Sequence, residues 1–148
     1  MTAETRPDYA GDVSPKEAWA RLEADPHAQL VDVRTTAEWS FVGLPDLGPL
    51  GRAVQRVEWQ TFPTMAPNGS FVSEASQAIL GAGGTKSAPI FFLCRSGARS
   101  RAAAIAMTLA GFTNAYNVAG GFEGDVDGTG HRGTKNGWKA AQLPWRQS

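Results

Sequence analysis

The chain has one cysteine, Cys94, among its 148 residues. A solitary cysteine excludes an internal disulfide, a CxxC redox pair and any multi-cysteine zinc site. Histidine is almost as scarce. His27 and His131 stand alone, with no Cys or carboxylate partner at ligand spacing, and read as surface or turn residues, so no metal site is expected. Charge is thin as well. Charged residues make up 19% of the chain, below the roughly 25% of an ordinary globular protein, and 14 basic residues balance 14 acidic ones. A balanced chain gives bulk charge no purchase on nucleic acid or an anionic membrane. The opening residues, Met1 to Tyr9, are polar and mixed in charge and contain no signal-peptide core. The longest apolar stretch, Ala102 to Phe112, is broken by Thr108 and Gly111 and falls short of the roughly 18 residues that span a bilayer. The expectation is a protein of the cytoplasm, away from membranes, where reducing conditions keep a lone thiol free.

What is present is enough apolar content, 42%, to build a packed core of single-domain size. Residues 1–13 read as a flexible lead-in, and 14–148 as one domain that includes a tail rich in Gly and Trp. Ser14-Pro15-Lys16-Glu17 is a helix start, with Ser14 as N-cap and Glu17 closing a capping box; Pro26 ends that helix. Gln29 to Val33 is a short β-branched strand. Thr35-Thr36-Ala37-Glu38 is a second capping box, opening a helix through Phe41 that Gly43 stops. Ala53 to Trp59 reads as a strand, and Ser73 as the cap of a helix through Leu80. Pro89 to Leu93 is the most apolar run and the natural central strand of a parallel sheet. Ala98 to Ala110 is a helix, Asn114 to Val118 a strand, and a short helix falls near Gly137 to Gln142. Helices alternating with short apolar strands indicate an α/β domain, a mostly parallel central sheet with helices on both faces.

The chemistry concentrates in Cys94-Arg95-Ser96-Gly97-Ala98-Arg99-Ser100-Arg101. A buried strand delivers Cys94 to its carboxyl end, the edge where open α/β sheets bind ligands. Gly97 turns the chain into a helix, whose amide N–H groups and positive dipole end favour an anion. Arg95, Arg99 and Arg101 crowd the same turn, where cations oppose the helix dipole by about 0.3–1 kcal/mol each. That placement makes sense when an anion occupies the loop, either the Cys94 thiolate or an anionic substrate. Helix N-termini and arginines activate thiols as thiolates, so Cys94 is placed to be a nucleophile rather than an inert core thiol.

Three segments in order resemble the single-domain rhodaneses, a sulfurtransferase family. The loop Cys94-Arg95-Ser96-Gly97-Ala98-Arg99, then Ser100, matches that family's six-residue cradle. Leu30-Val31-Asp32-Val33-Arg34 with Glu38-Trp39 resembles its first motif, and Asn117-Val118-Ala119-Gly120-Gly121-Phe122 its segment after the last core strand. Gly43-Leu44-Pro45-Asp46-Leu47-Gly48 departs from the family's usual Gly-His-Ile-Pro-Gly-Ala. The resemblance implies a rhodanese fold and an enzyme without cofactor. Cys94 would take a sulfur from a small anionic donor such as thiosulfate and become a persulfide, then pass it to cyanide, a cellular thiol or a sulfur-acceptor protein. Arg95, Ser96, Gly97, Ala98, Arg99 and Ser100 would bind the substrate. Asp32 and Arg34 would support the site, with Arg34 and Glu38 at i, i+4 spacing expected to pair with each other.

Two other readings compete. Cysteine-loop phosphatases and arsenate reductases need Arg one position later than Arg99, where this chain has Ser100, so the register fits the smaller loop. A non-enzymatic persulfide carrier, or a redox-sensing or interaction module, would keep the same reactive loop. Asp125-Val126-Asp127-Gly128-Thr129-Gly130 lacks the downstream ligands of a calcium loop and reads as a turn. Trp19, Trp39, Trp59, Trp138 and Trp145 read as core and tail-docking anchors.

Overall fold

The computed structural model of the chain describes residues 8–147. In chain order the elements are β1 (Gly11–Val13), α1 (Pro15–Ala24), β2 (Gln29–Asp32), α2 (Thr36–Phe41), β3 (Leu44–Pro45), β4 (Gln55–Arg56), β5 (Gln60–Thr61), β6 (Ala66–Pro67), α3 (Phe71–Gly81), β7 (Ile90–Leu93), α4 (Ala98–Leu109), β8 (Ala115–Val118), α5 (Gly137–Ala140) and β9 (Trp145–Arg146).

Both capping boxes form as the sequence predicts. Ser14 Oγ accepts from the Glu17 amide and the Glu17 carboxylate reaches back, and Thr35 with Glu38 repeats the arrangement. The third helix differs. It starts at Phe71, so Ser73 lies inside it rather than capping it. Phe71 is drawn into the core, 2% exposed, and meets the Trp59 ring edge-on at 4.9 Å, so burial of the aromatic sets the start. The expected strand from Ala53 to Trp59 shortens to β4.

The main sheet has the order β1-β8-β7-β2-β4, and every pairing in it is parallel. Its side chains divide by strand alternation. Ile90 and Phe92 of β7, with Val31 of β2, face α3 and α4 through Phe71, Ala75, Ile79, Ala103 and Met107. Phe91 and Leu93, with Leu30, face α1 and α5 through Leu22 and Trp138. A sheet buried on both faces explains why β2 and β7 read as unbroken apolar runs.

The lead-in expected over 1–13 is corrected from residue 8 onward; residues 1–7 lie outside the described residues. Gly11–Val13 is an edge strand parallel to β8, with Asp12 beside Asn117 and Val13 beside Val118. Val13 alone of the three is buried, so the segment shows no alternation to betray it. The tail is equally built in. Trp138 is wholly buried, meets Trp19 edge-on at 6.0 Å and donates its indole N–H to the Pro144 carbonyl at 2.7 Å. β9 then pairs antiparallel with β3. No helix among the described residues is long and apolar enough to cross a membrane.

From β2 the chain moves outward to β4, then crosses back to β7 on the other side of β2. The strand order therefore reverses between β2 and β7, and the carboxyl ends of these two strands are where open α/β sheets place their ligand sites. Arg34 leaves one strand there and Cys94 the other.

Candidate active site

Cys94 follows β7 directly and is 1% exposed. Its Sγ receives the Gly97 amide N–H at 3.1 Å and lies 3.2 Å from Ser100 Oγ. Gly97 makes the turn possible. Its φ of 128° is open to glycine, and it serves as the N-cap of α4 with no side chain filling the helix end. The first turn of α4 contains no acidic residue. The helix N-terminus therefore points bare amides and its positive dipole end into the loop that holds the sulfur.

The underside of the loop is clamped by the glycine segment after β8. The Cys94 carbonyl accepts from Phe122 N at 2.7 Å, and the Arg95 carbonyl from Glu123 N at 3.0 Å and Gly124 N at 3.1 Å. Gly121 makes this approach possible. It holds φ of 61°, and a β-carbon there would collide with the Cys94 carbonyl oxygen and lie 2.7 Å from that of Arg95. The third sequence segment thus acts through backbone contact with the loop.

The arginines separate. Arg99 gives two hydrogen bonds to Glu38, Nη1 to Oε1 at 2.7 Å and Nη2 to Oε2 at 3.0 Å, joining α4 to α2. Burial alone would push the Glu38 carboxyl up, but the hydrogen bonds and charge of Arg99 outweigh it and hold it below the ordinary carboxylate range. The hydrogen bonds Arg99 donates to Glu38, with that carboxylate's charge, raise the guanidinium above its ordinary value against the effect of burial. Arg95 is exposed. Arg101 faces away, 5.8 Å from the Tyr9 ring, so it does not join the loop as its spacing suggested. Ser96 is half-buried within the loop and Ala98 exposed at the helix start.

Arg34 does not pair with Glu38. Its Nε and Nη2 reach the Asp32 carboxylate at 3.0 and 2.7 Å, and Nη2 also donates to the Gly43 carbonyl at 2.8 Å. The reason is positional. The helix begins at Thr36, so Arg34 precedes it and never joins a helical face, where i, i+4 pairing would operate. Asp32 and Arg34 are fully buried, and the guanidinium lies 4.3 Å over the Phe122 ring. They brace the β2 exit against the glycine segment.

Sequence reasoning missed the groups behind the sulfur. Ser100 Oγ lies 2.6 Å from Asn117 Oδ1, and Asn117 Nδ2 donates to Asp12 Oδ1 at 3.0 Å. Asp12 Oδ1 also accepts from the Tyr9 hydroxyl at 2.9 Å. Burial, then the Asp12 carboxylate, push the Tyr9 phenol above its ordinary value, so it stays a donor. Asn117 stands in a sequence motif that gives it no role, and Asp12 and Tyr9 fall within the segment whose sequence reads as a lead-in. Among the described residues no three His, Cys, Asp or Glu side chains come together as metal ligands. The Asp127 turn is closed on itself, its carboxylate accepting from Thr129 and Thr134.

Comparison with known proteins agrees with this architecture. The model of the STR4 middle domain matches residues 10–148. An uncharacterized protein of Rickettsia conorii is 37% identical over 131 residues, covering 88% of this chain and 92% of that protein. The chloroplastic rhodanese-like domain-containing protein 4 of Arabidopsis thaliana is 28% identical over 140 residues, 95% of this chain but 26% of that longer protein. Among solved structures, Rv0390 from M. tuberculosis superposes with a TM-score of 0.85 at 51% identity, covering 95% of this chain and 99% of that one. The polysulfide-sulfur transferase homodimer from Wolinella succinogenes shares the fold, with a TM-score of 0.57 at 20% identity over 95% of this chain and 80% of that one.

Proposed function

The chain belongs to the STR4 middle-domain family and has a rhodanese-like fold, and from that premise we propose that it is a sulfurtransferase acting through a persulfide on Cys94. The observation that carries the reading is the sulfur itself. Cys94 Sγ sits at the topological switch point, facing the Gly97 N–H at 3.1 Å and the Ser100 hydroxyl at 3.2 Å, at the uncapped N-terminus of α4.

In the first half-reaction the Cys94 thiolate attacks the outer sulfur of thiosulfate. The new Sγ–S bond forms as the donor S–S bond breaks, and sulfite leaves with the electron pair. In the second half, cyanide or a thiolate attacks the terminal sulfur, the Sγ–S bond breaks, and the Cys94 thiolate returns. Both half-reactions move negative charge onto sulfur beside the loop, where the Gly97 N–H and the positive end of α4 already face it and stabilise the changing charge. Arg95 and Arg99 draw in the anionic donor, while Ser96, Gly97, Ala98 and Ser100 line the cradle. Arg34 and Asp32 keep the adjoining strand exit rigid. No second cysteine exists to resolve the persulfide internally, so its sulfur must pass to another molecule, a small thiol or a thiol-bearing protein. A reducing compartment such as the cytoplasm suits that chemistry.

The test is initial-rate kinetics with thiosulfate and cyanide. The reading expects parallel double-reciprocal lines, the pattern of a substituted-enzyme mechanism, and no thiocyanate from Cys94→Ala. Full activity in that variant would overturn it.

A further inference from the structure

Ser100 has one hydroxyl hydrogen and three acceptors within reach: Asn117 Oδ1 at 2.6 Å, Cys94 Sγ at 3.2 Å and the Gly97 carbonyl at 3.2 Å. Which acceptor takes the hydrogen is decided from the far end of the chain of contacts. Ionised Asp12 can only accept, so Asn117 must turn its NH₂ toward Asp12 and its oxygen toward Ser100. That oxygen can only accept, so Ser100 donates to Asn117. The lone pair left on Ser100 Oγ then faces Cys94. The satisfied arrangement is therefore Cys94 S–H to Ser100, Ser100 O–H to Asn117, and Asn117 N–H to Asp12. When Cys94 ionises, Ser100 must turn its hydrogen to the sulfur and leave the Asn117 oxygen, in a residue 5% exposed, without its donor.

We propose that Asp12 and Asn117 are positioning residues that set the direction of the hydrogen bonds reaching Cys94 through Ser100, holding the resting sulfur as a donor. This deepens the reading of Cys94 as the reacting group and rests on it. The β1–β8 register creates the arrangement by setting Asp12 beside Asn117. It keeps the free thiol quiet when no donor occupies the loop, and it places the control on an exposed carboxylate at the sheet edge. The charged groups that face this region are Arg99 with its partner Glu38, Asp32 with Arg34 at the β2 exit, and Arg101 over Tyr9. None of them changes in the comparison that follows.

Replacing Asp12 by Asn removes the constraint, because a carboxamide can offer either its oxygen or its NH₂. Asn117 can then turn over, donate to Ser100 and let Ser100 donate to the thiolate, while the Tyr9 hydroxyl, which donates to the same Asp12 oxygen, turns to accept from the new NH₂. The experiment is the rate of Cys94 alkylation by iodoacetamide, a neutral reagent, at a fixed mildly acidic pH. Four proteins are compared: wild type, Asp12→Asn, Ser100→Ala and the double variant. Asp12→Asn should react faster than wild type by about threefold or more, the worth of one net hydrogen bond. In the Ser100→Ala background the same substitution should change nothing. An unchanged or slower rate in Asp12→Asn overturns the proposal. So does an equal acceleration with and without Ser100, which would mark a through-space charge effect. Alkylation needs no sulfur donor, so this result stands apart from whether a persulfide forms.

Discussion

Arg99 of α4 grips Glu38 of α2 with two hydrogen bonds, at 2.7 and 3.0 Å, and so ties together the helices that follow β7 and β2. Glu38 Oε1 also accepts from the Thr35 amide at 3.2 Å. One carboxylate thus closes the capping box of α2 and fixes the guanidinium beside the cysteine loop. The arginine we propose as the attractor of an anionic donor is held in place rather than left to swing.

The pair makes stability depend on pH with a definite sign. The Glu38 carboxyl lies below its ordinary value in the folded protein, so its contribution is complete above the unfolded value of about 4.3 and is lost as pH falls through the lowered one. Glu38→Gln should cost about 1 kcal/mol at neutral pH, or roughly 2–4 °C in Tm. Melting curves of both proteins should converge in acid well below pH 4. A gap of constant size would show that the ionised pair is not the cause.

Removing the guanidinium should damage donor use. Arg99→Ala takes away the held cation and leaves Glu38 half-buried without it. The loss of one charge-assisted interaction predicts a drop of about tenfold or more in kcat/KM for thiosulfate. Arg99→Lys should recover only part of it, since a point charge cannot reproduce the fork. Kinetics at several ionic strengths check this, because the residual arginine effect should shrink with salt.

Gly121→Ala tests the clamp beneath the loop. A β-carbon there strikes the Cys94 carbonyl, and the backbone already sits at φ of 61°. Positive φ and overpacking together should cost about 2 kcal/mol or more. Chemical denaturation should show the loss. Cys94 chemistry should fall with it even at temperatures where the variant remains folded.

Trp138→Ala tests whether the tail is part of the core. The ring is wholly buried and its indole N–H is bonded to the Pro144 carbonyl. Truncating a buried tryptophan should cost about 3–5 kcal/mol, read as a shifted denaturation midpoint. A near-neutral effect would mean that the tail merely lies on the domain.

Local signals carried much of this fold. The capping boxes at Ser14 and Thr35, the apolar runs of β2 and β7 and the glycine turn at Gly97 each obey rules that act within a few residues. What stayed hidden depends on distant partners. β1 is three residues long and becomes a strand only by pairing with β8, more than a hundred residues on. With β1 unread, Asp12 and Tyr9 could not be placed behind the sulfur. Arg34 and Glu38 fit helical spacing on paper, yet Arg34 stands before the helix and turns back to Asp32. The cluster of Arg95, Arg99 and Arg101 was plain in the sequence, but helix phase sends Arg101 toward Tyr9 and Arg99 toward Glu38.

The central claim is that Cys94 carries a transferable sulfur, and intact-protein mass spectrometry tests it most directly. After incubation with thiosulfate and removal of excess donor, the protein should gain the mass of one sulfur, mapped to Cys94. Addition of cyanide should remove that mass and release an equal amount of thiocyanate. No mass gain in the wild type, or the same gain in Cys94→Ala, would contradict it.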